Sequence, residues 1–368
     1  VVETPKNVKK RWDIFCKIVD NFGDIGICWR LAKQLNAEHG LQVRLWVDEW
    51  NIAQHLIPSL KNTTHVDGVT ILNWHDAADF SQVADVVIEA FSCGLPDQYL
   101  SAIQAQKSKW INLEYLSAEP WVDDFHAKPS PQANGLTRHF YFPGFTEKTG
   151  GLLREYNTLT TNQLEHRISS NLKISLFCYP HAPIHELLTA LKNNQKAVHV
   201  FVPTSSILQN VARFFRLATI KAGDVYTENN LTVEVLPFLS QQNYDALLRD
   251  CDLNFVRGED SWIRAIWACK PFIWQPYLQT ENTHMQKLKA FIDLFYDNSE
   301  QKEVLWKAHE YWAAEHALQY DAKIIWKNYL NVLPAIQSYT KTRAKLQAEQ
   351  TDLATQLVSF CNKAVFTK

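Results

Sequence analysis

The sequence predicts an α/β protein built on two open, parallel, doubly wound sheets. Three observations carry this. Short apolar runs alternate with stretches of helical periodicity, and the alternation restarts after a passage rich in Pro and aromatics. The chain has 368 residues, which at roughly 150 per domain favours two domains. Hydrophobic residues make up 46% of it, enough for two cores.

In chain order, Asp13–Asp20 is an apolar run of the kind buried in a parallel sheet, ending on a carboxylate. Asn21-Phe-Gly-Asp24 reads as the turn, and Ile25–His39 has helical periodicity closed by Gly40, a good helix stop. Strand-like runs follow at Gln42–Val47, Val69–Trp74, Asp85–Phe91 and Trp110–Leu116, with a helical stretch at Asp97–Gln106. Glu119–Gly151 has weak periodicity and reads as a long functional loop or an interdomain passage. The second half gives strands at Leu172–Tyr179, Val198–Val202, Leu231–Leu236, Leu253–Val256 and Pro271–Trp274. Helices are expected at His185–Lys192, Gln241–Arg249 and from near Ser261, and from Thr283 the chain is mostly helical. The expected domains are 1–160 and 161–334, with closing helices at about 335–368 packing back on the first. No repeat of solenoid length and no low-complexity tract interrupts this.

Composition narrows the function. Lys and Arg total 37 against 39 Asp and Glu, a net charge of −2, so no broad basic field points to nucleic acid. Seven scattered cysteines without a C-x-x-C pair suit a reduced cytoplasm. No apolar run approaches the ~18 residues of a membrane span, and no secretory h-region is present. A soluble cytoplasmic protein with neither nucleic-acid nor membrane partner is the expectation.

Two loops carry the candidate chemistry. Arg257-Gly-Glu259-Asp260-Ser261 follows an apolar strand and opens a helix, the place where open α/β sheets bind ligands. Free amides at that helix start, together with a forked cation at Arg257, suit a diphosphate. Glu259 is a candidate acceptor from a hydroxyl or guanidinium, and Ser261 with its N–H a phosphate contact. Asp20 and Asp24 flank the first strand-to-helix turn. Asp24 reads equally well as a helix cap, whereas Asp20, ending a strand, is an expensive place for an unpaired carboxylate. Phe177, Tyr179, Phe238 and Tyr244 gather at the same predicted edge of the second half, where a planar base needs a stacking face. No dinucleotide fingerprint, Walker loop, nucleophile elbow or zinc spacing appears. His181 and His185 lack the Glu of a metalloprotease helix, so no metal is expected.

With these residues in view the chain resembles one family, the EarP protein-arginine rhamnosyltransferases. The matching stretches are Asp20-Asn-Phe-Gly-Asp24-Ile-Gly, Asn112-Leu-Glu-Tyr-Leu-Ser and Arg257-Gly-Glu-Asp-Ser-Trp-Ile-Arg-Ala, and the likeness runs through nearly the whole chain. The resemblance implies a GT-B glycosyltransferase, two Rossmann-like domains facing a cleft, with the acceptor at the N-terminal domain and the nucleotide-sugar in the C-terminal one. It implies dTDP-β-L-rhamnose as donor, an arginine of elongation factor P as acceptor, inversion at the anomeric carbon, and neither cofactor nor catalytic metal. Asp20 becomes the base-like carboxylate, Asp24 its partner and Glu259 a further essential acid. Arg257, Asp260 and Ser261 are assigned to the diphosphate and its surroundings, and Phe177, Tyr179, Phe238 and Gln241 to the nucleotide pocket. Without the resemblance, the residues alone stop at a nucleotide-sugar transferase of unknown acceptor. The alternatives are a sugar-nucleotide epimerase of GT-B form and a non-catalytic nucleotide-binding module, in which Asp20 has no task.

Overall fold

A computed structural model describes residues 10–20, 22–75, 80, 82–158, 171–315 and 320–363. The chain divides into two compact units, one of Val1–Tyr156 with Gln350–Lys368 and one of Asn157–Glu349.

Unit 1 contains β1 (Arg11–Cys16), α1 (Phe22–His39), β2 (Gln42–Val47), α2 (Trp50–Leu56), β3 (His65–Val66), β4 (Val69–Asn73), β5 (Val86–Ala90) and α3 (Asp97–Gln106). It continues through β6 (Lys109–Leu113), α4 (Val122–Phe125), β7 (Pro129–Pro131) and β8 (Thr137–Tyr141), and closes with α13 (Leu353–Asn362). Its eight-stranded sheet runs β3-β4-β2-β1-β5-β6-β8-β7, parallel except at its two edges, where β3 and β7 run antiparallel to their neighbours. The passage from Glu119 to Gly151 is therefore no linker: it supplies α4 and the β7–β8 edge of the sheet. Pro129 and Pro131 explain the weak strand signal, since proline is confined to sheet edges.

The sequence carries β1 too far. Its register ends at Cys16↔Val47 and Phe15↔Glu89, and Lys17–Asp20 leave the sheet. Val19 is 62% exposed, so an apolar residue there belongs to a loop and not to a buried strand. Within the sheet Asp13 is fully buried, paired with Arg44 and accepting from the Tyr99 hydroxyl. Phe15 stacks on Trp46 at 5.4 Å and packs on Tyr99 at 4.6 Å beside this pair.

Unit 2 contains β9 (Leu172–Leu176), α5 (Ile184–Lys192), β10 (Val198–Pro203), α6 (Leu208–Phe214), β11 (Val225–Glu228), β12 (Leu231–Leu236), α7 (Gln241–Asp250), β13 (Leu253–Arg257), α8 (Gly258–Trp267) and β14 (Phe272–Gln275). Helices α9 (Thr283–Phe295), α10 (Lys302–Ala313), α11 (Ala322–Asn331) and α12 (Leu333–Ala348) follow. The sheet order is β11-β12-β10-β9-β13-β14, with only β11 antiparallel. Trp262 of α8 stacks on Trp274 of β14 at 3.6 Å, and Trp274 Nε1 donates to the Gly258 carbonyl at 2.8 Å. Two large rings thus clamp the start of α8 against the sheet.

In unit 2, β9 stops at Leu176 and not at Tyr179, and two helices differ from the sequence reading. Helix α8 begins at Gly258, three residues earlier than expected, because Gly258 takes φ +60° and turns the chain straight into the helix. Helix α12 belongs to unit 2: Thr340 meets the Tyr296 hydroxyl, Tyr339 accepts from the Asn298 amide, and Arg343 donates to the Leu294 carbonyl. The return to unit 1 begins only at Gln350. There Asp352 caps α13 through the Thr355 amide at 3.0 Å and accepts from Gln34 Nε2 of α1, also at 3.0 Å.

Leu357, fully buried on α13, is expected to lose about 2–5 kcal/mol of stability as Leu357→Ala. Hydrogen exchange would locate the loss: protection should fall in β1 and α1 and stay unchanged in β9 and β10.

Candidate functional site

Unit 1 places Asp20 in the loop between β1 and α1 and Asp24 in the first turn of α1. The Gly23 amide donates to the Asp20 carbonyl at 2.7 Å, a tight turn into the helix. A Cβ at Gly23 would stand 3.0 Å from Asp20 Oδ2, so the glycine makes room for that carboxylate to lie over the first turn of α1. Asp24, only 3% exposed, reaches back out of the helix: its Oδ2 accepts from the amides of Val19 at 2.7 Å and Asp20 at 2.8 Å. Asp24 is therefore not the expected N-cap: it lies inside α1 and accepts from amides upstream of the helix instead of the helix's own N2 or N3, and so fixes the backbone of Asp20. Its Oδ1 accepts from the Tyr115 hydroxyl at 3.2 Å. Asn21 lies outside the described residues.

Tyr115 belongs to a neighbouring support that the sequence quoted but did not explain. Its ring stacks on Phe91 at 4.2 Å. Phe91 and Ser92 both adopt positive φ, +57° and +52°, a costly backbone for side-chain-bearing residues. Asn112 compensates: its Oδ1 accepts from the Ser92 amide at 3.1 Å, and its Nδ2 donates to Ser92 Oγ and to Glu114. Beside them Glu89, 1% exposed, accepts from the Gly94 amide at 2.9 Å, Trp110 Nε1 at 3.0 Å and Arg138 at 3.1 Å. The signal available in sequence was a polar residue inside an apolar strand, Asn112 in Trp-Ile-Asn-Leu.

Unit 2 presents the other candidates at the carboxyl ends of β9 and β13. Arg257 closes β13, and its guanidinium lies over the rings of Phe177 at 4.7 Å and Tyr179 at 4.6 Å. Among the described residues no carboxylate pairs with it. Because α8 starts at Gly258, the amides without an intrahelical acceptor are those of Gly258, Glu259 and Asp260. Ser261 lies one residue deeper, 8% exposed, where the helix supplies an acceptor for its amide, so the hydroxyl is what it has to offer. Glu259 is half-buried in the first turn.

Asp260 is held in place. Its Oδ2 accepts from Arg264 Nε at 2.9 Å and Gln241 Nε2 at 3.4 Å, while Arg264 also forks onto Asp245 at 2.8 Å. This ties the first turn of α7 to that of α8. Tyr244 packs its ring edge on Phe177 at 5.6 Å, and burial pushes its phenol well above the ordinary range. Phe238, 43% exposed, lies in the loop before α7. The structure thus brings Phe177, Tyr179, Tyr244 and Arg257 together, and Tyr244 joins them to Ser261, Asp260 and Arg264, with Gln241 on Asp260. Arg264 escaped the sequence reading because its i, i+4 spacing from Asp260 ordinarily marks a surface pair, and Asp245 because it lies 19 residues away on α7.

No helix of the described residues is long and apolar enough to cross a membrane, and no cluster of three His, Cys, Asp or Glu among them is placed to hold a metal. Comparison with known proteins then speaks for nearly the full chain. It is 42% identical over 379 residues to the protein-arginine rhamnosyltransferase of Pseudomonas putida, covering 96% of this chain and 99% of that one. A solved structure described as the basis for EarP-mediated arginine glycosylation of translation elongation factor EF-P is similar with a TM-score of 0.67 and 31% identity, over 96% of this chain and 98% of the other. The spinosyn rhamnosyltransferase SpnG, solved with thymidine diphosphate, matches at TM-score 0.52 and 11% identity over 96% of this chain and 100% of its own, a likeness of GT-B fold. The family described as Elongation-Factor P (EF-P) rhamnosyltransferase EarP matches residues 12–362, and the chain belongs to that family.

Proposed function

We propose that the protein transfers L-rhamnose from dTDP-β-L-rhamnose to an arginine side chain of elongation factor P, with inversion. The observation that carries the donor half is Arg257: a guanidinium over two aromatic faces, without a carboxylate partner among the described residues, at the start of α8. A fixed cation beside a helix N-terminus suits a diphosphate. Phe177, Tyr179, Phe238, Gln241 and Tyr244 are the proposed surroundings of the nucleotide. Asp260 orients the first turn through Arg264, and Ser261 offers its hydroxyl. The relatives' shared activity and the elongation factor in the solved neighbour's description support the acceptor.

The acceptor half rests on unit 1. An arginine side chain stays protonated in water, so a simple base is not enough. Asp20 is the base-like carboxylate, Asp24 its partner that fixes the loop, and Glu259 a further acid toward the guanidinium. As the nitrogen bonds to the anomeric carbon, the bond to the β-phosphate oxygen breaks and the guanidinium proton passes to Asp20. The charge growing on the departing diphosphate meets Arg257 and the amides of α8, in place before reaction. That electrostatic provision makes the proposed transfer independent of a metal. A binding module would leave Asp20 without a task.

Asp20→Asn is expected to abolish transfer while dTDP-rhamnose binding stays within about three-fold, since its role is at the acceptor in the transition state. Calorimetry beside a turnover assay checks this, and substantial residual turnover removes the assignment. Arg257→Ala should weaken dTDP by about 1.5–3 kcal/mol, more than it weakens thymidine; equal losses would make Arg257 a support of the fold. Intact-mass analysis of elongation factor P with the protein and dTDP-rhamnose tests the reaction itself. A variant acceptor with lysine at the target position should stay unmodified, because a compact ammonium cannot match a planar fork of donors. Efficient modification of that lysine would mean the site reads charge alone.

A further inference from the structure

The loop after β9 hangs on a buried amide that the nucleotide reading leaves without a role. Gln275 closes β14 beside Arg257 and is fully buried. Its Oε1 accepts from the Tyr179 amide at 2.7 Å, and its Nε2 lies 2.9 Å from His181 Nε2 and 3.4 Å from the Trp312 carbonyl of α10. A backbone N–H can only donate, so the atom facing Tyr179 must be the amide oxygen. Nε2 then brings its hydrogens to His181 and Trp312. The His181 nitrogen facing it must hold a lone pair, which puts the ring's proton on Nδ1 and leaves the ring neutral. A second proton would set N–H against N–H and break the bond. His181 in turn lies parallel to Tyr179 at 5.9 Å, and Arg257 rests over Tyr179 at 4.6 Å.

We propose that Gln275 and neutral His181 are positioning residues for the donor's diphosphate: together they hold the Tyr179 loop, and with it the platform under Arg257. The proposal rests on the donor reading of this edge. Burial is the main influence holding His181 below its ordinary 6.5; His284 of α9 adds to it, and Glu315 after α10 opposes it. The sign follows. A group whose folded pKa is lowered favours the neutral ring in the folded protein, so the latch is complete above pH 6.5 and is lost as pH falls through the lowered value. A His181 that touched the phosphates directly would do the opposite, gaining charge and binding the anion more tightly in acid.

Calorimetry with dTDP-rhamnose at about pH 8 and at an acid pH where the nitrogen-15 signals of His181 report the imidazolium separates the two, since a diphosphate substituted at both ends has no group titrating near neutrality. Wild type should bind about five-fold more weakly at the acid pH, the worth of one lost hydrogen bond. His181→Gln, whose amide oxygen accepts from Gln275 at either pH, should flatten that dependence. Gln275→Glu, whose carboxylate accepts both from the Tyr179 amide and from a protonated His181, should remove or reverse it. Tighter binding by wild type in acid, or an acid loss that persists in His181→Gln, overturns the proposal. A ligand-free measurement keeps it apart from the donor reading: nitrogen-15 spectra of the full chain, with the His181 signals assigned by their loss in His181→Gln. A neutral ring protonated on Nδ1 at about pH 7.5 supports the latch even should dTDP-rhamnose fail to bind. An imidazolium or an Nε2-protonated ring there overturns it.

Discussion

The working edges of both sheets depend on one constraint: where a parallel strand ends, the chain leaves its neighbours and its next amides lose their acceptors. Each such amide needs a substitute, because an unmet buried donor costs about 1–3 kcal/mol. Here the substitutes are side chains, most of them buried. Asp24 takes the amides of Val19 and Asp20, Asp48 that of Ile18, Asn112 that of Ser92, and Glu89 that of Gly94. In unit 2 Gln275 takes that of Tyr179. The loops that bear the candidate chemistry are therefore set by acceptors that the interior holds in place.

This constraint also separates residues that are held from residues that hold the backbone. Asp20, Phe238 and Glu259 project from loops or first turns that others hold. Asp24, Asn112, Glu89 and Gln275 do the holding, and their loss would release a backbone segment along with one side chain. The cation at Arg257 fits the same scheme. Its platform, Phe177 and Tyr179, is anchored through the Phe177 amide to Phe255 at 3.1 Å and through the Tyr179 amide to Gln275 at 2.7 Å.

Much of the fold was legible in the sequence, for physical reasons. Strands buried on both faces read as short, mostly apolar runs, as at β5 and β13, and the helices between them show their period. Legibility failed where a local signal had two meanings. Val19 extended the run of β1 though it is exposed, and the prolines of β7 disguised an edge strand as a loop. Gly258 could be a turn or the start of a helix, and only its φ of +60° decided. Of the candidate site, Arg257 stood out because a cation ends an apolar strand. Its supports Gln275 and Arg264 are spoken for by residues 96 and 19 positions away, pairings that no local pattern announces.

Unit 1 is discontinuous, begun by the N-terminal strands and finished by α13, with all of unit 2 between. On a ribosome this sets an order of events. Domains fold as units while the chain emerges, and unit 2 is entirely made before α13 appears. Until then α1 lacks the Asp352 acceptor for Gln34, and Leu353, Leu357 and Cys361 are missing from the core of unit 1. The carboxylate-bearing half is thus the last to be completed, and a nascent chain can fold its cation-bearing half before the first unit has its closing helix.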